Sequence, residues 1–243
     1  MYTNLGRWTV VEIDRIIHEA STISDTGERI SFLSDMFLGL SYREATLHGN
    51  SETEEVLTVD FSGVDCFTFI DYVEAMRRSD SFNGFLANLR TVRYRNGTVV
   101  HEKRNHFFTD WAENGLPYVT DVTEEIGGGK ARSIVKTLNL RDNGTPILPG
   151  IKTLRRIINF IPAETVDSTV LAKLRSGDYA GIYSPLQGLD VSHVGIIRKV
   201  EKTIILTHAS SDSRHRKVID QDLREYISGK PGLLVLRARD LGT

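Results

Sequence analysis

Four short apolar runs divided by turns commit the last third of this chain to a β-sheet: Tyr179 to Tyr183, Val191 to Lys199, Thr203 to Ala209 and Leu233 to Ala238. The first third reads as helix. Over residues 8–22, Val10, Ile13, Ile16, Ile17 and Ala20 form an apolar stripe, and Glu12, Arg15 and Glu19 face away from it. A second helix is expected from Thr26 to Phe37, using Ile30, Leu33, Met36 and Phe37. A third runs to about Arg78, and a further one restarts at Ser79 or Asp80 and passes through Phe85, Leu86 and Leu89. Helices first and a mostly antiparallel sheet after them is an α+β layout. No Pro/Ser-rich linker, repeat or low-complexity segment divides the 243 residues, so the expectation is one domain over 1–243.

The intervening segments are less regular. Leu38 to Leu47 reads as a loop, and Glu54 to Phe61 as a strand leading into the third helix. Arg93 to Val100 has a strand–turn–strand pattern around Asn96-Gly97. His106 to Trp111 reads as a short aromatic helix, and Gly127 to Gly129 as a flexible break. Strands and irregular structure are expected over residues 131–161, a short helix closing at Ala172 to Arg175, and one helix from Asp220 to Ile227.

The stretch Phe61-Ser62-Gly63-Val64-Asp65-Cys66-Phe67-Thr68-Phe69-Ile70 holds the chain's single cysteine. Ser62 and Gly63 form turns, Asp65 suits an N-cap, and Phe69, Ile70, Val73 and Met76 recur at helical spacing. Cys66 is therefore placed in the first turn of a buried helix, where free N–H groups and the helix dipole should lower its pKa. The plainer alternative is a small core residue. With one cysteine, no internal disulfide can form.

Composition narrows the function. A formal net charge of −2 with no basic run gives no sign of a nucleic-acid partner. No uncharged stretch is long enough for a transmembrane span. Arg7, Glu12, Asp14 and Arg15 near the start, without an apolar region, imply no signal peptide in this chain. The expected location is cytoplasmic, or the cell envelope or periplasm if a leader has been left off.

Val191 to Ala209 reads as a hairpin. With Val200-Glu201 at its turn, His193 faces His208, Gly195 faces Leu206, Ile197 faces Ile204 and Ile196 meets Ile205. Residues opposed across a hairpin lie about 4.5–5.5 Å apart at Cβ, so one histidine can orient the other. Gly195 should leave space for a ligand or helix. A zinc site drawn from His193, His208 and Asp190, or from His101 and His106, competes with this reading. No HExxH and no paired-cysteine spacing supports it.

A cysteine at a helix start, a histidine opening a strand and a polar residue on the next strand together resemble the papain-like NlpC-type cell-wall cysteine hydrolases. Within them the chain is similar to the bacterial N-acetylmuramoyl-L-alanine amidase-like proteins, long carried as a domain of unknown function. The motifs are Phe37-Leu38-Gly39 with Tyr42 and Thr46-Leu47, Asp65 to Phe69, His106 to Trp111, Gly177-Asp178, Leu189 to Gly195, and His208 to Ser211. Ser41 stands where the pattern has a proline.

The resemblance implies a papain-like fold and a triad of Cys66, His193 and His208, with Tyr42 close to the nucleophile. It implies peptidoglycan or muropeptide as substrate, no metal and no cofactor. The amide cut would be the N-acetylmuramoyl–L-alanine bond; the alternatives are a stem-peptide cut after D-glutamate or a zinc-dependent amidase. Arg43, Arg104, Asp110, Trp111 and Asp190 lie near the matched motifs and are candidates for substrate binding. The chain is expected to act as a monomer.

Overall fold

A computed structural model describes residues 1–113 and 119–240. The chain opens with β1 (Tyr2–Asn4), then α1 (Val10–Ser21) and α2 (Thr26–Asp35). Thr9 and Glu12 form a capping box at the start of α1, and Asp25 caps α2. The predicted strand at Glu54 to Phe61 shortens to β2 (Thr58–Asp60), which pairs in parallel with β1. The three residues of β1 are too few to show a strand period in the sequence.

Helix α3 (Cys66–Arg77) follows, then α4 (Phe82–Arg93), capped by Ser81. Every residue from Thr68 to Arg77 is buried. One apolar face was expected, but α3 is enclosed on all sides, which requires its charges to be paired inside. Glu74 and Arg77 pair at 2.6 Å, and Tyr179 donates to Glu74 Oε2 at 2.7 Å. Arg93 of α4 pairs with Asp71 at 2.7 Å and also donates to the Thr58 carbonyl at 2.6 Å.

Asn96 and Gly97 both take left-handed φ, 56° and 65°. The tight turn therefore forms, but within a 3-10 turn (Arg95–Gly97) and without flanking strands. Tyr94 bridges Arg104 instead. The aromatic segment becomes helical only at α5 (Asp110–Glu113), because the Asp110 carboxylate accepts from the N–H groups of His106 and Phe107 and holds them in a turn.

Then come β3 (Val119–Asp121), α6 (Thr123–Gly127), the hairpin of β4 (Arg132–Leu138) and β5 (Leu154–Pro162), and α7 (Ser168–Lys173). Of the expected glycine break, Gly127 ends α6 and Gly128–Lys130 is a 3-10 turn. The chain finishes with β6 (Tyr179–Tyr183), β7 (Val191–Val200), β8 (Thr203–Ala209), β9 (Val218–Asp222), α8 (Leu223–Ile227) and β10 (Gly232–Ala238). The single helix expected from Asp220 is in fact the end of a strand and a five-residue helix. Val218 to Asp222 pairs with β8, and the Asp222 side chain caps α8.

The large sheet runs β4-β5-β10-β6-β7-β8-β9, with β3 on β10, and each pairing in it is antiparallel. Alternate residues feed two apolar layers. Tyr179, Val194, Ile196, Leu234 and Leu236 join the helices α1 to α4 on one face. Ala180, Ile182, Ile197, Leu206 and Val235 meet α6, α7 and α8 on the other. Among the described residues no helix is long and apolar enough to cross a membrane.

The β7–β8 hairpin turns one residue later than expected. Val200 pairs with Thr203, so Ile197 meets Leu206 and Ile196 meets Thr207. A two-residue shift preserves faces, so His193 and His208 stay on one face but lie diagonally. The direct partner of His193 is Ile182 of β6.

Candidate active site

Cys66 begins α3. Asp65 caps the helix, accepting from the N–H groups of Phe67 at 3.0 Å and Thr68 at 2.7 Å. Thr68 Oγ1 accepts in return from the Asp65 N–H, which closes a capping box. Just before it, the Val64 N–H donates to the Ser41 carbonyl and the Arg43 N–H to the Val64 carbonyl. These two bonds tie the Tyr42 loop to the turn that presents the cysteine. Behind Cys66, Phe67 packs edge-on against Trp111 with ring centroids 6.1 Å apart.

The sulfur meets the sheet where β7 and β8 separate. Their ladder ends at Ile196–Thr207, and beyond it the Val194 N–H favours the Cys66 thiolate. The Cys66 and Phe67 N–H groups also favour the thiolate. Burial opposes them, Asp65 adds repulsion, and the thiol is pushed up to about 12. The expected lowering by the helix start is therefore outweighed: the resting sulfur carries its proton.

His193 Nε2 lies 2.7 Å from His208 Nδ1, with the two rings perpendicular at 90°. His208 Nε2 lies 3.1 Å from Gln221 Oε1 on β9. Burial, the neighbouring His208 and Lys230 draw His193 down to about 3, and burial also lowers His208. Both rings are thus neutral near pH 7. Tyr226 of α8 packs against both, at centroid distances of 6.0 Å and 4.8 Å. Gly195 leaves no space for a ligand; β8 occupies it. A Cβ there would meet Leu206 Cδ1 at 2.8 Å and His208 Cβ at 3.0 Å, so the glycine allows the close approach that seats His208.

Tyr42 stands near the sulfur. Burial, the neighbouring Cys66 and the Asp65 carboxylate raise its pKa, and the Arg216 guanidinium lies 4.9 Å from its ring. A cleft of about 490 Å³ opens beside the imidazoles, lined in part by Ser192, His193, His208, Gln221, Tyr226 and Lys230. Gln221, Tyr226 and Lys230 were missed in the sequence. Gln221 and Tyr226 fell inside a predicted helix, where no strand register related them to His208.

The binding candidates divide. Arg43 keeps an open side chain, 55% exposed, and donates to Ser62 Oγ at 2.6 Å. The other four are built into the scaffold. Arg104 pairs with the buried Glu55. Asp110 pairs with Arg156 at 2.9 Å. Asp190 is buried and accepts from the Thr109 N–H and hydroxyl at 2.8 Å and 2.9 Å. Trp111 is fully buried against Phe67 and Tyr179 and has no face left for a sugar. His101 and His106 lie together, ring centroids 4.8 Å apart. Among the described residues no three His, Cys, Asp or Glu side chains group so as to hold a metal ion.

The family model described as AmiA-like, N-acetylmuramoyl-L-alanine amidase-like, matches residues 32–233. A crystal structure of a Legionella pneumophila protein, assigned to the family DUF1460, shares 21% identity at a TM-score of 0.79 and covers 94% of each chain. An N-acetylmuramoyl-L-alanine amidase from Bacteroides uniformis shares 24% identity at a TM-score of 0.71, covering 88% of this chain and 99% of its own. A second structure so described from the same organism gives 23% and 0.72, with the same coverage. At these identities the likeness is one of fold, α+β with a mostly antiparallel sheet. No curated protein matches the sequence.

Proposed function

The chain belongs to the AmiA-like, N-acetylmuramoyl-L-alanine amidase-like family, and from that membership we propose that it is a cysteine amidase of papain-like, NlpC type. It hydrolyses the N-acetylmuramoyl–L-alanine bond of peptidoglycan fragments through Cys66, His193 and His208. The observation carrying this reading is the imidazole pair at 2.7 Å on the strand whose Val194 N–H, one residue after His193, favours the Cys66 thiolate.

The chemistry follows from the groups present. Cys66 attacks the lactyl carbonyl carbon while His193 takes the thiol proton. In a dry site neither charge is stable alone, but thiolate and imidazolium form together, and their attraction offsets the burial of each. The developing oxyanion is met by the Cys66 N–H, one of the first N–H groups of α3, and by the Tyr42 hydroxyl. His193 then returns the proton to the alanine nitrogen, the C–N bond breaks and the peptide leaves as an amine. A thioester on Cys66 remains. Water, deprotonated by His193, attacks it and restores the thiol. His208 stays beside His193 throughout and stabilises the imidazolium.

In this reading residues 1–243 act as one monomeric domain, and Arg43 at the edge of the Cys66 turn contacts the substrate. Mass spectrometry of the products from a defined anhydromuropeptide tests the choice of bond. Release of a peptide beginning at L-alanine supports it. Release of an L-alanyl-D-glutamate-bearing glycan fragment would replace it with a stem-peptide endopeptidase.

A further inference from the structure

We propose that Gln221 is a positioning residue of this site: its amide oxygen fixes the protons on both imidazoles so that His193 Nδ1 is left bare to act as the base. The proposal rests on the amidase reading above for its catalytic meaning, although the proton arrangement itself can be measured without it.

Gln221 Oε1 lies 3.1 Å from His208 Nε2. An amide oxygen only accepts, so His208 Nε2 must hold a hydrogen. A neutral imidazole carries one N–H, which makes His208 Nδ1 an acceptor. His193 Nε2, 2.7 Å away, must then be the donor. Its single hydrogen used, His193 presents a lone pair at Nδ1. Reversing the first bond reverses the whole chain and leaves N–H at His193 Nδ1, where it could take no proton from a thiol.

The site keeps both rings in the neutral form this relay needs. His208 is faced by His193 from β7, by Asp220 and Gln221 from β9, by His215 from the β8–β9 loop, by Tyr226 from α8 and by Lys230 beyond it. Asp220 accepts from Thr207 Oγ1 at 2.6 Å and from Arg198. Gln221 alone among these bonds the outer nitrogen of His208. It is a half-buried residue on β9, paired with Leu206, where a substitution leaves the core intact.

The test uses the full chain labelled with ¹⁵N-histidine. Long-range proton–nitrogen spectra at pH 7 should show His193 and His208 both neutral with hydrogen on Nε2. Hydrogen on Nδ1 of either ring overturns the proposal. Gln221→Leu removes the acceptor, and should redistribute the tautomers and lower kcat on an anhydromuropeptide by roughly tenfold or more, with KM within about twofold. Gln221→Glu keeps an acceptor and should retain the Nε2–H tautomers and most of kcat. Its acid limb should shift to higher pH, because a carboxylate favours imidazolium. Leucine with wild-type kcat and pH profile, or with lost kcat but unchanged tautomers, overturns the positioning role. Absence of cleavage by the wild-type chain would remove the amidase reading, while the tautomer spectra still decide the role of Gln221.

Discussion

His193 and His208 share a 2.7 Å hydrogen bond although neither is the other's partner in the β-ladder. The contact is diagonal and runs through side chains on one sheet face. It depends on Gly195, whose missing Cβ lets His208 close in. His208→Ala should therefore lower kcat by roughly a hundredfold or more. Because the pair acts as one unit, His193→Ala combined with His208→Ala should be no slower than His193→Ala alone. Additive losses in steady-state kinetics would mean the two rings work separately.

Alkylation of the resting protein should follow the buried thiol, not an activated one. With Cys66 pushed up to about 12, the thiolate is a minor form below that value and its share grows as pH rises. The iodoacetamide rate should climb steadily from pH 6 to pH 9. A plateau already reached below pH 7 would show a preformed thiolate–imidazolium pair in the free protein.

Asp65 has two opposite effects, and they can be separated. It caps α3 and so stabilises the fold. Its charge also adds to the rise in the Cys66 pKa. Asp65→Ala should cost about 1 kcal/mol of stability in denaturant unfolding. The same variant should be alkylated faster at pH 8. Slower or unchanged alkylation would show that the capping geometry, and not the charge, governs the sulfur.

Removing one partner of the buried Glu74–Arg77 pair strands the other charge in the core. Arg77→Ala should destabilise by about 3–5 kcal/mol in denaturant titrations. Arg214→Ala breaks an exposed pair with Asp212 and should leave the unfolding midpoint unchanged. Equal effects at the two sites would contradict the burial argument.

The helices and late strands were legible because their apolar periods are long and regular, as over Val10 to Ala20 and Val191 to Ala209. The Cys66 turn was legible because Ser62, Gly63 and Asp65 are local signals. The histidine pairing could be read only as far as the shared face, since the turn position is fixed by Glu201, which adopts a left-handed φ of 53°. Non-helical Val218 to Asp222 was hidden because its strand exists only through pairing with β8. The partners of the charged candidates were hidden for a related reason. Arg104, Asp110 and Asp190 look like surface groups in one dimension, and only the fold supplies Glu55, Arg156 and Thr109 as their partners. The pKa of Cys66 was beyond reach of the sequence because burial by the sheet, not the helix start, dominates it.

The central claim is that the sulfur of Cys66 is the attacking atom. The initial rate of anhydromuropeptide cleavage by Cys66→Ala, read against wild type with matched thermal unfolding, addresses it most directly. A loss of at least about a thousandfold is expected. A variant that cleaves at near the wild-type rate would contradict it.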